Sequence, residues 1–187
     1  MSSESELYFR IERLFADYCA ALDEGELEAW PEFFLEDGLY QMIARENYAH
    51  GYPIPLLLLD SQAMMKDRVY SLRNANIFQP HRYRHAQSGI RITAREADGL
   101  RVSSSYIVVQ TLNEGVTTVY QAGSYYDYLL ETDACLRFKE RVCVYDTSRI
   151  RNPAGNAGVN RSGPLKLDAA IGARRTRCRP SNPYRPC

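Results

Sequence analysis

The stretch that decides the fold is "ADGLRVSSSYIVVQTLNEG", residues 97 to 115, in which a strand-like run lies between two turn signals. The tripeptides "ADG" and "NEG" are typical of reversals between antiparallel strands, and the valine, isoleucine and tyrosine residues between them favour β structure. A third turn signal, "ETDA", follows at residues 131 to 134. The strand-like runs begin after Pro80, and the three turn signals divide them into four. The sequence therefore predicts four consecutive antiparallel strands.

Side chains of a strand point alternately to its two faces, so the facing of each residue can be predicted. In the second strand, Tyr106 and Val108 fall on one face. In the fourth strand one mostly apolar face is predicted to hold Leu136, Phe138, Glu140, Val142 and Val144. The basic residues of that strand are predicted to point away: Arg137, Lys139 and Arg141.

The N-terminal part of the chain is helical in pattern. Apolar residues recur at helical spacing over residues 4 to 23, which predicts an amphipathic helix. Ser3 and Glu6 are placed as a capping box, and Gly25 follows the last turn.

The residues between this helix and Pro80 predict mixed structure. A short second helix is expected over residues 26 to 34, with Pro31 in its first turn, and a strand over residues 38 to 44. Asp60 is expected to cap a helix that ends at about residue 74. Helices first and a strand meander last predict an α+β domain whose curved sheet closes over the helices.

Composition indicates one globular domain. The chain has 187 residues, of which 45% are hydrophobic and 25% are charged. No apolar run approaches the roughly 20 residues that a membrane-spanning helix needs. The polar start "MSSESE" has no signal-peptide pattern, so the cytoplasm is the expected location. The five cysteines are scattered and odd in number, which predicts free thiols.

The zero net charge hides an asymmetry that divides the chain. From Asn152 onward seven basic residues face one acid, which leaves 16 basic and 22 acidic residues in the body. We expect residues 1 to 151 to form the folded domain and residues 152 to 187 a disordered basic tail. A functional arm and an added, non-native segment both fit the tail's composition. An acidic body argues against nucleic-acid binding.

The segment "HRYRH", residues 81 to 85, allows three interpretations. On a helix His81 and His85 could share a metal ion, but on a strand they are about 13 Å apart. The alternation of arginine and tyrosine could contact RNA, but it is a single short run. Arginine and tyrosine are also common at protein contacts, so we predict a subunit interface formed by His81, Arg82, Tyr83, Arg84 and His85.

An enzymatic interpretation stays open as the alternative. A cone made of a curved sheet and helices can hold a pocket, and four polar residues could point into it: Tyr18, Asp23, His85 and Glu140. A carboxyl group among apolar side chains has a raised pKa and can exchange protons with a ligand. Such a protein would be a stand-alone dehydratase or isomerase, or a module that only binds a ligand.

Established catalytic motifs are absent from the sequence. It contains no glycine-rich phosphate loop, nucleophile elbow or H-E-x-x-H motif. No cysteine is followed two or three residues later by histidine, which excludes a Rieske-type ligand pattern. We therefore predict no catalytic, cofactor-binding or metal-binding residues for the main interpretation.

Four runs together resemble the small (beta) subunit of bacterial aromatic-ring-hydroxylating dioxygenases, especially those of salicylate hydroxylase and terephthalate dioxygenase systems. They are "WPEFF" at 30 to 34, "RENYAHGYPIPLLLLDSQAMMKDRVYSLRNANIFQPHRYRH" at 45 to 85, "AGSYYDYL" at 122 to 129 and "LRFKERVCVYDTSRI" at 136 to 150. The resemblance implies the cone-shaped α+β fold of nuclear transport factor 2 and scytalone dehydratase. The tail after Ile150 departs from the family.

The resemblance also implies a division of labour between subunits. The large (alpha) subunit of such systems carries a Rieske [2Fe-2S] cluster and a mononuclear iron, and a reductase supplies electrons from NADH. Membership implies an α3β3 hetero-hexamer in which this chain is structural and contacts alpha subunits and other beta subunits. An aromatic acid is the substrate implied for the whole enzyme.

Overall fold

The computed structural model describes residues 4–74, 81–132 and 135–146. Its helical elements are α1 (Glu4–Glu24), a 3-10 helix (Trp30–Phe33), α2 (Arg45–Ala49) and α3 (Gln62–Asn74). Its strands are β1 (Phe34–Ala44), β2 (Leu57–Leu59), β3 (His81–Arg95), β4 (Gly99–Leu112), β5 (Thr117–Glu131) and β6 (Leu136–Tyr145). The predicted disordered tail and Ser3 of the predicted capping box lie outside the described residues.

The strands form one six-stranded sheet in the order β2-β1-β6-β5-β4-β3. The four predicted strands β3 to β6 pair antiparallel with their neighbours in sequence, as the turn signals require. Strand β1 lies parallel to β6, so the sheet is mixed. Helix α1 packs on the inner face of this curved sheet, which confirms the predicted α+β cone.

Helix α1 holds the sheet through one apolar face. Its buried residues include Ile11, Phe15, Tyr18 and Leu22, which recur at the predicted helical spacing. They join Tyr106 and Val108 of β4 in a single core cluster, so the facing predicted for β4 is confirmed. Burial of large side chains from both layers supplies the main driving force for this packing.

Several predicted element boundaries were wrong. Residues 26 to 34 do not form an α-helix: a 3-10 helix covers only Trp30–Phe33, with Pro31 in its first turn. The following strand begins at residue 34 instead of 38. Helix α3 begins after Ser61, whose Oγ accepts a hydrogen bond from the backbone N of Met64 at 3.4 Å, so Asp60 is not its cap. The short helix α2 was not predicted.

The facing predicted for β6 fails halfway along the strand. Leu129 of β5 pairs with Phe138 while Tyr128 pairs with Glu140, so Lys139 is an extra residue, a β-bulge. Beyond the bulge the alternation is inverted. Arg141, which was predicted to point away from the apolar face, is therefore fully buried.

Two further observations bear on the predictions from composition. Three cysteines within the described residues carry free thiols, namely Cys19, Cys135 and Cys143. Among the helices of the described residues, none is long and apolar enough to cross a membrane.

The close approach of β5 and β6 can be tested at Gly123. A Cβ atom at this position would lie 2.1 Å from the backbone oxygen of Val144. We expect Gly123→Ala to lower the free energy of unfolding by about 2 kcal/mol or more, because backbone atoms must move to relieve the overlap. Urea unfolding measures the change, with Thr118→Ala on the exposed part of β5 as the control; equal effects of the two substitutions would contradict the packing described.

Candidate functional site

The "HRYRH" segment forms the first five residues of β3, so its side chains alternate between the faces of the sheet. His81 and Tyr83 are buried and the side chain of His85 is 2% exposed, whereas Arg82 and Arg84 are exposed. A strand separates the two histidines too far for one metal ion. Among the residues that the structure describes, no group of three His, Cys, Asp or Glu side chains could hold a metal.

Asp23 and His85, two of the four residues of the enzymatic alternative, are in direct contact. The carboxylate of Asp23, in the last turn of α1, accepts hydrogen bonds from the backbone N–H of His85 at 3.0 and 3.1 Å. The Nδ1 atom of His85 lies 2.7 Å from Oδ1 of the same carboxylate. Because a carboxylate only accepts, Nδ1 carries the ring proton in this arrangement. The pair fastens the C-terminal end of α1 to the start of β3.

The remote ring nitrogen of His85 has no such partner. Its Nε2 atom is buried and makes no hydrogen bond. In the neutral tautomer that carries its proton on Nδ1, Nε2 has the lone pair that a proton-accepting histidine needs. It is nevertheless closed off from solvent, so the pair acts first as a structural clamp.

Tyr18, the third residue of the alternative, belongs to a different arrangement. Its ring lies 4.1 Å from the guanidinium carbon of Arg141, and the ring of Tyr125 lies 3.9 Å from the same carbon. The Tyr18 hydroxyl accepts a hydrogen bond from Nε1 of Trp30 at 3.1 Å. Burial raises the pKa of Tyr18 well above its ordinary value, which keeps the phenol protonated.

Arg141 occupies the centre of the cone. Its Nη2 donates to Oε1 of Gln87 at 3.0 Å, and its Nε lies 3.4 Å from Oδ1 of Asp127. Both charged side chains are fully buried. The guanidinium therefore reaches from β6 to β3 across the inner face of the sheet, where it is fully buried between the rings of Tyr18 and Tyr125.

Glu140, the fourth residue of the alternative, lies apart from the other three. It follows the bulge in β6 and is only partly buried, and its carboxylate accepts a hydrogen bond from Nη1 of Arg101 at 2.7 Å. The four residues thus do not form one catalytic group: two are paired, one packs against Arg141 and one is in a surface ion pair.

The sequence interpretation missed Arg141 and Asp127, the two buried charges. Arg141 was hidden by the bulge, because strict alternation turns it outward. The run "RVCVY", residues 141 to 145, could have suggested that Arg141 faces inward. Its apolar residues occupy both alternating sets, so either face of the strand could be the buried one. No sequence signal locates the bulge itself.

Comparison with known proteins identifies relatives of this architecture. The family model of the ring hydroxylating beta subunit matches residues 19–152. The small subunit of anthranilate 1,2-dioxygenase from Burkholderia cepacia is 41% identical over 151 residues, which cover 81% of this chain and 94% of the relative. Subunit beta 1 of the terminal oxygenase component of terephthalate 1,2-dioxygenase from Comamonas is 35% identical, covering 71% of this chain and 86% of the relative.

A solved structure agrees with these relatives. It is described as the beta subunit of a proposed aromatic-ring-hydroxylating dioxygenase from Novosphingobium aromaticivorans, and it superposes with a TM-score of 0.73 at 40% identity. The match covers 80% of this chain and 95% of that structure.

Removal of the clamp should destabilise the fold. We expect Asp23→Ala to lower the free energy of unfolding by about 2 to 3 kcal/mol, because the buried donors of His85 lose their acceptor. Glu24→Ala is the matched control, since that neighbouring carboxylate is exposed and should cost less than about 1 kcal/mol. Chemical unfolding monitored by circular dichroism compares the two; an Asp23→Ala protein as stable as the Glu24→Ala protein would show that the clamp contributes nothing.

The buried carboxyl of Asp127 should make stability depend on pH. Burial raises its pKa from 3.8 to about 7, although the charge of Arg141 opposes the shift. Between these two pKa values the folded state binds more protons than the unfolded state. The contribution of Asp127 to the free energy of unfolding is therefore greatest below about pH 4 and falls as the pH rises towards 7.

Asp127→Asn cannot titrate, so its free energy of unfolding should vary less between pH 4 and 7 than that of the unchanged protein. Unfolding curves across this range measure the slope. Glu12→Gln, at an exposed position of α1, serves as the control and should keep the original slope. An unchanged slope in Asp127→Asn would contradict the assignment.

Proposed function

The chain belongs to the family of ring-hydroxylating dioxygenase beta subunits, and on that premise we propose that it supports a catalytic alpha subunit that acts on an aromatic acid. The chain is the small subunit of such a system, whose activity is that of an oxidoreductase. The aromatic acid is suggested by the names of two relatives, which refer to anthranilate and terephthalate.

One structural observation favours a supporting role over a stand-alone enzyme. The centre of the cone, where the other interpretation needs a ligand, is filled by the guanidinium of Arg141 between Tyr18 and Tyr125. The polar residues offered for catalysis are separated, and Asp23 and His85 are used to fasten α1 to β3. These contacts join α1 to the sheet, and a sheet held in this way is suited to presenting a fixed surface to a partner.

We place the redox groups on the larger partner. Hydroxylation of an aromatic ring by O₂ requires a redox-active cofactor, and the residues described in this chain do not fit a metal ion or a Rieske cluster. The alpha subunit would carry the Rieske [2Fe-2S] cluster and the mononuclear iron, and NADH would supply electrons through a reductase. We propose an α3β3 hetero-hexamer in the cytoplasm, where NADH is available.

The facing of β3 narrows the predicted interface at "HRYRH" to the residues whose side chains are exposed. Arg82 and Arg84 are exposed. The side chain of Arg84 is 69% exposed, although its Nη1 lies 3.8 Å from carboxylate oxygens of Asp23 and Glu24. His81, Tyr83 and His85 support the strand from the inner face. We therefore propose that the two arginines contact the alpha subunit, where carboxylates are their expected partners.

Co-expression of the full chain with the alpha subunit of its source organism tests this function. The expected product is a coloured iron–sulfur complex with ring-hydroxylating activity, and a chain that never binds the alpha subunit would refute the proposal. Activity of this chain alone that is lost in His85→Ala would instead support the stand-alone enzyme.

The contact itself is tested by charge reversal. The double substitution Arg82→Glu and Arg84→Glu should weaken recovery of the alpha subunit at least about tenfold, because two favourable contacts become repulsive. Arg13→Glu on the exposed side of α1 is the control and should leave the complex intact. Equal recovery with both variants would place the interface elsewhere.

A further inference from the structure

The ion pair at the centre of the cone leaves several polar atoms without a hydrogen-bond partner. The side chains of Asp127 and Arg141 are both fully buried. Among the described residues, neither oxygen of the Asp127 carboxyl group has a hydrogen-bond partner, and Nε and Nη1 of Arg141 have no acceptor. Such a set of atoms requires an explanation, because most buried polar atoms in folded proteins have a partner.

The two side chains approach each other without forming a hydrogen bond. Nε of Arg141 lies 3.4 Å from Oδ1 of Asp127, whereas a hydrogen bond between charged groups is typically about 2.7 to 2.9 Å long. The two residues are directly opposite in the register of β5 and β6. Because the aspartate side chain is short and the arginine side chain is long, the carboxyl group meets the side of the guanidinium at Nε.

Other neighbours hold the guanidinium in this position. Its Nη2 donates to Oε1 of Gln87 at 3.0 Å, and the rings of Tyr18 and Tyr125 lie 4.1 and 3.9 Å from its central carbon. The amide of Gln87 is itself fixed, because its Nε2 donates to Oγ of Ser104 at 2.7 Å. A movement that brought the guanidinium into a direct bond with Asp127 would disturb these contacts.

We propose that one water molecule binds between Asp127 and Arg141 and bridges the carboxyl group to Nε of the guanidinium. The water accepts a hydrogen bond from Nε–H and donates one to a carboxylate oxygen. It thereby supplies a partner to both side chains of the pair. The site goes beyond the proposed function, since it lies inside this chain and needs no alpha subunit.

The chemistry of the two side chains selects a small neutral molecule. A guanidinium group only donates hydrogen bonds and an ionised carboxylate only accepts them, so the bridging molecule must both accept and donate. An anion at this position would be repelled by Asp127, and a cation would be repelled by Arg141. Water also fits a protonated Asp127, because it can then accept from the carboxyl O–H.

The number of unmatched atoms places the water at this pair. A buried water molecule typically makes about two to four hydrogen bonds with the protein. Nε of Arg141 and the two carboxyl oxygens of Asp127 provide three candidate partners in one place. Nε2 of His85 is also buried without a partner, but it is a single acceptor and does not by itself form such a site.

A high-resolution crystal structure of the full-length chain tests the site. We expect a density peak about 2.7 to 3.2 Å from both Nε of Arg141 and a carboxyl oxygen of Asp127. A direct hydrogen bond between the two side chains would overturn the proposal. So would the absence of any peak between them.

Two substitutions of Asp127 separate the water from the packing around it. Asp127→Leu removes both oxygens at similar size, so the peak should disappear while Arg141 keeps its hydrogen bond to Gln87. Asp127→Asn is the matched variant, because its amide oxygen still accepts, and it should retain the peak. Circular dichroism verifies that each variant is folded. A peak that persists in Asp127→Leu, or one that is lost in Asp127→Asn, would contradict the bridge; if Asp127→Leu does not fold, Asp127→Asn alone decides.

Bromide distinguishes a water molecule from a bound anion. Crystals are grown without ammonium salts and with bromide in place of chloride, since bromide gives an anomalous signal and water does not. We expect the peak between Asp127 and Arg141 to have no anomalous signal. An anomalous peak there would show that the site binds a halide, and the proposal would fail.

A measurement in solution checks the site outside the crystal. A water molecule bound beside Nε–H of Arg141 should give a nuclear Overhauser effect from water to that proton, and the effect should be lost in Asp127→Leu. Nε–H of Arg13 is the control, because that side chain is 69% exposed and should show only exchange with the solvent. Absence of the effect at Arg141 in the unchanged protein would refute a long-lived water.

The outcome is separate from that of the proposed function. These measurements use this chain alone, so failure to bind an alpha subunit would leave the water site unaffected. Failure to find the water would leave the proposed function unaffected.

Discussion

The buried guanidinium of Arg141 organises the interior of this protein. A charge removed from water is costly unless other groups compensate it, and here the compensation comes from several elements at once. Tyr18 of α1 and Tyr125 of β5 lie on it at 4.1 and 3.9 Å, and Asp127 of β5 lies 3.4 Å away. These contacts exist only when the helix and the sheet are both in place, so the arginine makes the packing of one layer depend on the other.

The same interaction explains why a fold suited to a pocket serves here as a support. Curved sheets closed by helices can enclose a ligand, but in this chain the central volume contains a protein side chain and its aromatic neighbours. The second polar contact, between Asp23 and His85, fixes the end of α1 to β3. The polar groups of the interior therefore maintain the shape of the sheet, and the surfaces left for function are those that face outward.

Those outward surfaces differ in chemistry. The start of β3 presents Arg82 and Arg84, which suit an acidic partner. The centre of the outer side of the sheet presents small, uncharged residues around Ile107, which is 45% exposed. Successive residues of a strand face opposite sides. Strand β3 therefore contributes His85 to the interior and Arg82 and Arg84 to the outward surface.

Local patterns in the sequence predicted much of this architecture. Turn signals and alternation predicted β3 to β6, and helical spacing predicted α1, because these patterns depend on residues close in the chain. The resemblance of four runs predicted the family. The burial of Arg141 could not be predicted in this way, because one extra residue at Lys139 inverts the facing of the strand and no local signal marks it. The contact of Asp23 with His85 was also beyond such prediction, since a contact between residues 62 positions apart follows from how the helix crosses the sheet.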